Sequence, residues 1–204
     1  MRKHDSIFFI GVIIGSFFLT SCNTNKEQFS LTSKSYEMWR DYITPTENEL
    51  LWTSIPWRSS FREGLIDADE YQKPLLLWAM NGHPLGCTWN NGVAGRRSVW
   101  SDPRIIKITE HFIPTTDEVW RLQRVQDLDA TFFQEMANKG HYQTAGQTRQ
   151  GIYVCSPNGK LLSSINSLNA DDVLKSIKNG LEKWNGLSVS ERQLPIDQKL
   201  KPSH

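Results

Sequence analysis

The residues able to do chemistry are few, and the cysteines come first. There are three, Cys22, Cys87 and Cys155. No two stand in a CxxC spacing, which excludes four-cysteine zinc sites and dithiol redox motifs. Cys87 follows the turn-rich stretch Gly82-His83-Pro84-Leu85-Gly86 and precedes Thr88 and Trp89. A thiol at the start of a helix feels the positive end of the dipole, which favours thiolate. His83, Arg96 and Arg97 supply cations nearby, so Cys87, His83 and Thr88 form the candidate catalytic set. A lone reactive Cys forms a mixed disulfide or a sulfenic acid but cannot resolve either internally. The plainer alternative is a small, half-buried hydrophobe in an inactive loop. Trp89, beside Cys87, offers either a substrate-contact wall or simple packing. Cys155 falls in an apolar strand and is expected to be buried, inert and unpaired with Cys87. His83, Cys87 and His141 combine soft sulfur with imidazole and are the metal candidates, copper above all, although no metal or cofactor is expected. Glu47, Asp67 and Asp69 form no paired-carboxylate arrangement, and no glycine-rich phosphate loop is present.

Cys22 has a different chemistry. Arg2 and Lys3 precede an apolar run from Ile7 to Leu19, which ends at Leu19-Thr20-Ser21-Cys22. A basic start, a short apolar core and small residues before a Cys make an export signal. The run falls short of the ~20 residues needed to cross a bilayer. Leu, small, small, Cys resembles a bacterial lipobox, which implies cleavage before Cys22 and acylation of its thiol. Residues 1–21 then form the signal peptide, and the lipid is the membrane partner. Asn23 rather than Asp in the next position favours the outer membrane under enteric-type sorting, with the periplasmic face of the inner membrane as the other expected location. Without Arg2, Lys3 and Asp5 the basic and acidic charges are equal, which argues against nucleic-acid binding.

The elements that must position Cys87 are read next. Thr46 opens a short helix over Glu47–Trp52, and Ser59 or Ser60 caps a helix with Phe61, Leu65, Ile66 and Ala68 on its apolar face. Lys73-Pro74 leads into Leu75-Leu76-Leu77-Trp78-Ala79-Met80, an all-apolar run that reads as a fully buried strand. Asn81 to Gly95 reads as loop. Ser101-Asp102-Pro103 starts a helix, with Ser101 expected at the cap, and Phe112 to Val119 reads as a strand. Asp129 is expected to cap a helix carrying Phe132, Phe133 and Met136. Ile152–Cys155, Ser156-Pro157-Asn158-Gly159 and Lys160–Ile165 read as strand, turn and strand. Asn169 caps a last helix with a stripe of Val173, Ile177, Leu181 and Trp184. This order predicts an α/β sandwich with a mixed sheet flanked by helices. The expected divisions are a tether and Trp-rich N-terminal extension over 22–56, a domain over 57–187 and a mobile polar tail over 188–204.

The same order, with Lys73-Pro74 before the apolar strand, Ser101-Asp102-Pro103, Phe112-Ile113-Pro114 and Pro157-Asn158-Gly159-Lys160, resembles the thioredoxin superfamily. The resemblance covers roughly residues 57–187 and implies a thioredoxin-like sandwich. It places the Cys87 loop at the family's active position. Cys87 fits the first cysteine position, with Asn90 at the second, or the second position, with Pro84 at the first. The resemblance also places Gln150 where the family carries a cis-proline, making Gln150 and Gly151 substrate-contact residues. The missing proline argues against general dithiol exchange. The expectation is a membrane-tethered, thioredoxin-like envelope protein with single-Cys redox activity, as an oxidoreductase or thiol peroxidase acting on an envelope partner. The alternatives are a redox-inactive binding module and, third, a copper-handling protein.

Overall fold

The computed structural model describes residues 31–86, 90–142 and 148–195. The chain divides into two units, Met1–Ile43 and Thr44–His204. In the first, helix α1 (Ser33–Ile43) starts from a reciprocal pair in which Ser35 N donates to Thr32 Oγ1 (3.1 Å) and Thr32 N donates to Ser35 Oγ (2.8 Å). None of its residues is buried. No helix among the described residues is long and apolar enough to cross a membrane.

The second unit is built on strand β1 (Leu75–Met80), whose six residues are all buried. Side chains alternate across a strand, so the run feeds two cores. Leu75, Leu77 and Ala79 join a cluster with Phe61, Leu65, Phe133 and Tyr153. Leu76, Trp78 and Met80 join a second with Trp100, Ile105, Val154 and Ile177. β1 pairs in parallel with β2 (Ile113–Glu118), in the register Leu75 to Ile113 through Met80 to Glu118. On its other side it runs antiparallel to β3 (Gly151–Cys155), with Leu75 opposite Cys155 and Ala79 opposite Gly151. β4 (Leu161–Ile165) closes a hairpin with β3, giving the mixed order β2-β1-β3-β4. The hairpin turn needs Gly159 at a φ of +84°, a region that favours glycine. Beyond β2, Arg58 adds one parallel bridge to Thr115, its N–H reaching Pro114 O at 2.8 Å.

Helices cover both faces. α2 (Phe61–Glu70) is capped by Ser60, which accepts from Glu63 N. α3 (Asn90–Ser98) occupies part of the stretch expected to be loop. Its glycines read as punctuation, yet a Cβ at Gly95 would lie 3.1 Å from the Trp78 ring, so this glycine serves close approach. α4 (Pro103–Thr109) is capped by Asp102 rather than the expected Ser101, because Asp102 Oδ1 accepts from Arg104 N at 2.8 Å. A one-turn α5 (Val119–Leu122) follows β2. α6 (Leu128–Ala137) is capped by Asp127 rather than the expected Asp129, with Asp127 Oδ1 accepting from Ala130 N at 2.7 Å. α7 (Ala170–Asn185) is capped by Asn169 and buries Val173, Ile177 and Trp184.

Two flanking stretches are docked on this unit. Before α2, a 3-10 turn (Glu47–Ser54) opens on a capping box of Thr46 and Glu49, and Trp52 and Trp57 pack against the second core. After α7, residues read as the start of a mobile tail return to the protein as far as Leu194. That side chain is 3% exposed in the first core, and its N–H donates to Asp69 Oδ1 at 2.8 Å. Arg192 lies over the Trp184 ring at 5.1 Å.

The α2–sheet contact yields a direct test. A Cβ at Gly64 would collide with Thr115 Oγ1 and come within 2.7 Å of Leu75 Cδ1. Both side chains are fully buried, with no room to swing aside, so Gly64→Ala must push α2 off the sheet. The expected loss is roughly 1–3 kcal/mol, the usual cost of overpacking. Urea unfolding of the variant measures it, and an unchanged midpoint would contradict the packing.

Candidate functional site

β1 ends at Met80, and its carboxyl end delivers the chain into the loop that carries the candidate cysteine. Gly82 turns the chain at a φ of +77°. His83 Nδ1 accepts from Leu85 N at 3.3 Å. Cys87, Thr88 and Trp89 lie outside the described residues, as does Cys22, and the chain resumes in α3 at Asn90. The two arginines expected near Cys87 have partners of their own. Arg96 sits over the Trp52 ring at 5.2 Å, and Arg97 pairs with Glu49 at 2.9 Å. Both belong to the last turn of α3, about 9 Å along the axis from its start at 1.5 Å per residue.

The start of β3 stands beside this loop. Asn81 Nδ2 donates to Gln150 Oε1 at 3.2 Å, so the residue in the expected cis-proline position is tied to the end of β1. No cis peptide occurs among the described residues. Next to it, Gly151 holds a φ of +149°, and a Cβ there would lie 2.6 Å from His141 Cε1. Glycine is thus required where His141 crosses the strand. The His141 ring packs on Tyr142 (4.4 Å) and Tyr153 (5.2 Å), with Nε2 3.2 Å from Gln150 O. Its Nδ1 is buried with no hydrogen-bond partner among the described residues. Burial holds its pKa below the ordinary imidazole value, against the opposing pull of the Gln150 carbonyl. The ring is therefore neutral near pH 7.

On the α2 side of the sheet lies a groove of about 1010 Å³, lined by His83, the start of α2 and the acidic segment after β2. Asp117, 5% exposed, organises it. Its Oδ2 accepts from Phe61 N (2.8 Å) and from Arg121 Nη2 (2.8 Å). Arg121 reaches on to Asp127 at 3.0 Å, the cap of α6. One guanidinium thus joins the end of β2 to the starts of two helices. Asp129, from the first turn of α6, faces Arg62 at 3.8 Å, and burial raises its pKa. Sequence reasoning missed this relay. Its one local signal is the Asp117–Arg121 spacing of four, which gains meaning only once β2 ends between them.

The remaining candidates separate. Cys155 is free and buried, and burial pushes its thiol up to about 12, so it is no nucleophile near neutral pH. His83 lines the groove, whereas His141 packs against Tyr153. No group of three ligand-type side chains that could hold a metal occurs among the described residues.

His141 carries a pH dependence of known sign. Its folded pKa lies below the ordinary 6.5, so the unfolded chain binds the proton first. The stability it contributes is complete above pH 6.5 and is lost as pH falls below that value. Melting temperatures between pH 7.5 and 5 should therefore drop further for the parent than for His141→Gln. Equal drops would contradict a neutral, buried ring. No family model matches the chain, and no curated protein is similar to it.

Proposed function

We propose that the chain is an envelope lipoprotein, anchored through Cys22, whose thioredoxin-like domain exchanges disulfides through the single loop thiol of Cys87. One observation carries this reading. The doubly buried central strand runs directly into the Cys87 loop, α3 begins three residues after that cysteine, and Gln150, just ahead of the adjacent antiparallel strand, is hydrogen-bonded to Asn81 at the start of the loop. The mixed sheet, with one parallel and one antiparallel neighbour of β1, is compatible with the thioredoxin-like sandwich that the resemblance implies. With Arg96 and Arg97 engaged elsewhere, the amino end of α3 is the main source of positive potential for a thiolate at 87.

The chemistry balances with a partner disulfide. The Cys87 thiolate attacks one sulfur, a mixed disulfide forms, and the other partner sulfur leaves as thiolate. With Cys155 buried in the core, release needs a second thiol from the partner or from a small-molecule pool. A second reading, a redox-inactive module that holds an envelope protein, is favoured by the Asn81–Gln150 hydrogen bond. It ties the Gln150 side chain to the end of β1 at the place the family reserves for a proline facing substrate.

Incubation with oxidised glutathione followed by peptide mass spectrometry separates the two. Disulfide exchange predicts an adduct on Cys87, absent in Cys87→Ser and unaffected in Cys155→Ser. A native protein that takes no adduct on Cys87 supports the binding module. Fatty-acid labelling tests the anchor: label should enter the parent and vanish in Cys22→Ser, and label retained by that variant would overturn it.

A further inference from the structure

Helix α1 of the first unit buries none of its own residues. Wound at about 100° per residue, its large apolar and its charged side chains separate, with Ser35 the one polar residue among the apolar ones. Tyr36, Met38, Trp39, Tyr42 and Ile43 fall on one half of the circumference, and Lys34, Glu37, Arg40 and Asp41 on the other. The apolar half is exposed: Met38 is 59%, Tyr42 80% and Ile43 72% open to solvent. Trp39 and Tyr42 stack edge to face at 5.8 Å, presenting two aromatic rings together.

We infer that α1 lies flat in the headgroup region of the membrane that holds Cys22, with this aromatic half turned toward the acyl chains. The inference rests on the lipid-anchor reading. Three features of the helix favour a bilayer over a protein groove. Trp and Tyr, amphipathic rings, are the residues that settle at membrane interfaces. The polar half carries two cations, Lys34 and Arg40, and two anions, Glu37 and Asp41, with Arg40 paired to Asp41, so contact is driven by apolar burial and not by lipid charge. The helix also begins eleven residues after Cys22, within ~40 Å of chain at full extension. A lipid at 22 therefore holds α1 at high effective concentration over the same surface. An 11-residue helix is marginal alone in water, and the interface supplies the burial that its own sequence lacks.

The test uses protein isolated from membranes and reconstituted in phosphatidylethanolamine–phosphatidylglycerol vesicles, some with brominated acyl chains. Bromine quenches only tryptophans that reach the acyl region, and subtracting the Trp39→Phe spectrum isolates Trp39 from the other tryptophans. The expected result is a quenched Trp39 component, unchanged in 0.5 M salt. It should fall at least threefold in a Tyr36→Ser, Tyr42→Ser, Ile43→Ser variant. A Trp39 component that bromine does not quench would overturn the inference, as would one unaffected by the triple substitution; either outcome places the helix on protein instead. Fatty-acid labelling of the same samples separates the two ideas. Acylated Cys22 without Trp39 quenching sinks this inference and leaves the anchor. Quenching without acylation does the reverse.

Discussion

Strand β1 has no side that faces water, and the rest of the second unit follows from that. Each of its six side chains is at most 4% exposed, and both of its edges are paired. Fully burying a Leu or Met side chain contributes about 1.5–3 kcal/mol, so the strand demands apolar cover above and below. α2 and α6 supply one cover, through Phe61, Leu65 and Phe133, and the Trp100–Ile105–Ile177 cluster supplies the other. A parallel neighbour on one edge and an antiparallel neighbour on the other then bring the end of β2 and the start of β3 to the same end of the sheet as Asn81.

That convergence builds the candidate site. At the carboxyl end of β1 the backbone leaves the sheet, and three devices fix what surrounds it. Asn81 and Gln150 hold the strand ends together, and Gly151 lets His141 cross against Tyr153. Asp117, almost wholly buried, is satisfied by a helix-start N–H and the Arg121 guanidinium. A charged carboxylate at that depth is tolerated because its partners are fixed on rigid elements. The same carboxylate sets where α2 begins, and hence one wall of the groove beside His83.

Much of this was legible in the sequence where one signal dominated. The unbroken run Leu75–Met80 admitted only a buried strand, Ser156-Pro157-Asn158-Gly159 only a tight turn, and the Val173, Ile177 and Trp184 spacing only a helix. Where two residues competed, the reading slipped: Ser101 and Asp102, or Asp127 and Asp129, are equally good caps until the fold selects one. α3 was hidden because its glycines look like turns, and Gly95 is explained only by the Trp78 ring beneath it. Leu194, a single apolar residue in a polar stretch, has no periodicity to announce it. The Asp117–Arg121–Asp127 relay is tertiary, and its one local trace, the Asp117–Arg121 spacing of four, means nothing until β2 is known to end there. Cys87 is conspicuous as the one cysteine in a turn-rich loop just after the buried strand.

The account therefore turns on the state of one sulfur. The most direct measurement is the pH dependence of iodoacetamide alkylation at Cys87, followed by peptide mass spectrometry in the folded protein, with buried Cys155 as an internal reference. A thiol stabilised by the start of α3 should titrate below the free-thiol value of about 8.5, while Cys155 stays unlabelled. A Cys87 that titrates at or above that value, or that resists alkylation until the protein unfolds, would contradict thiol chemistry at this loop.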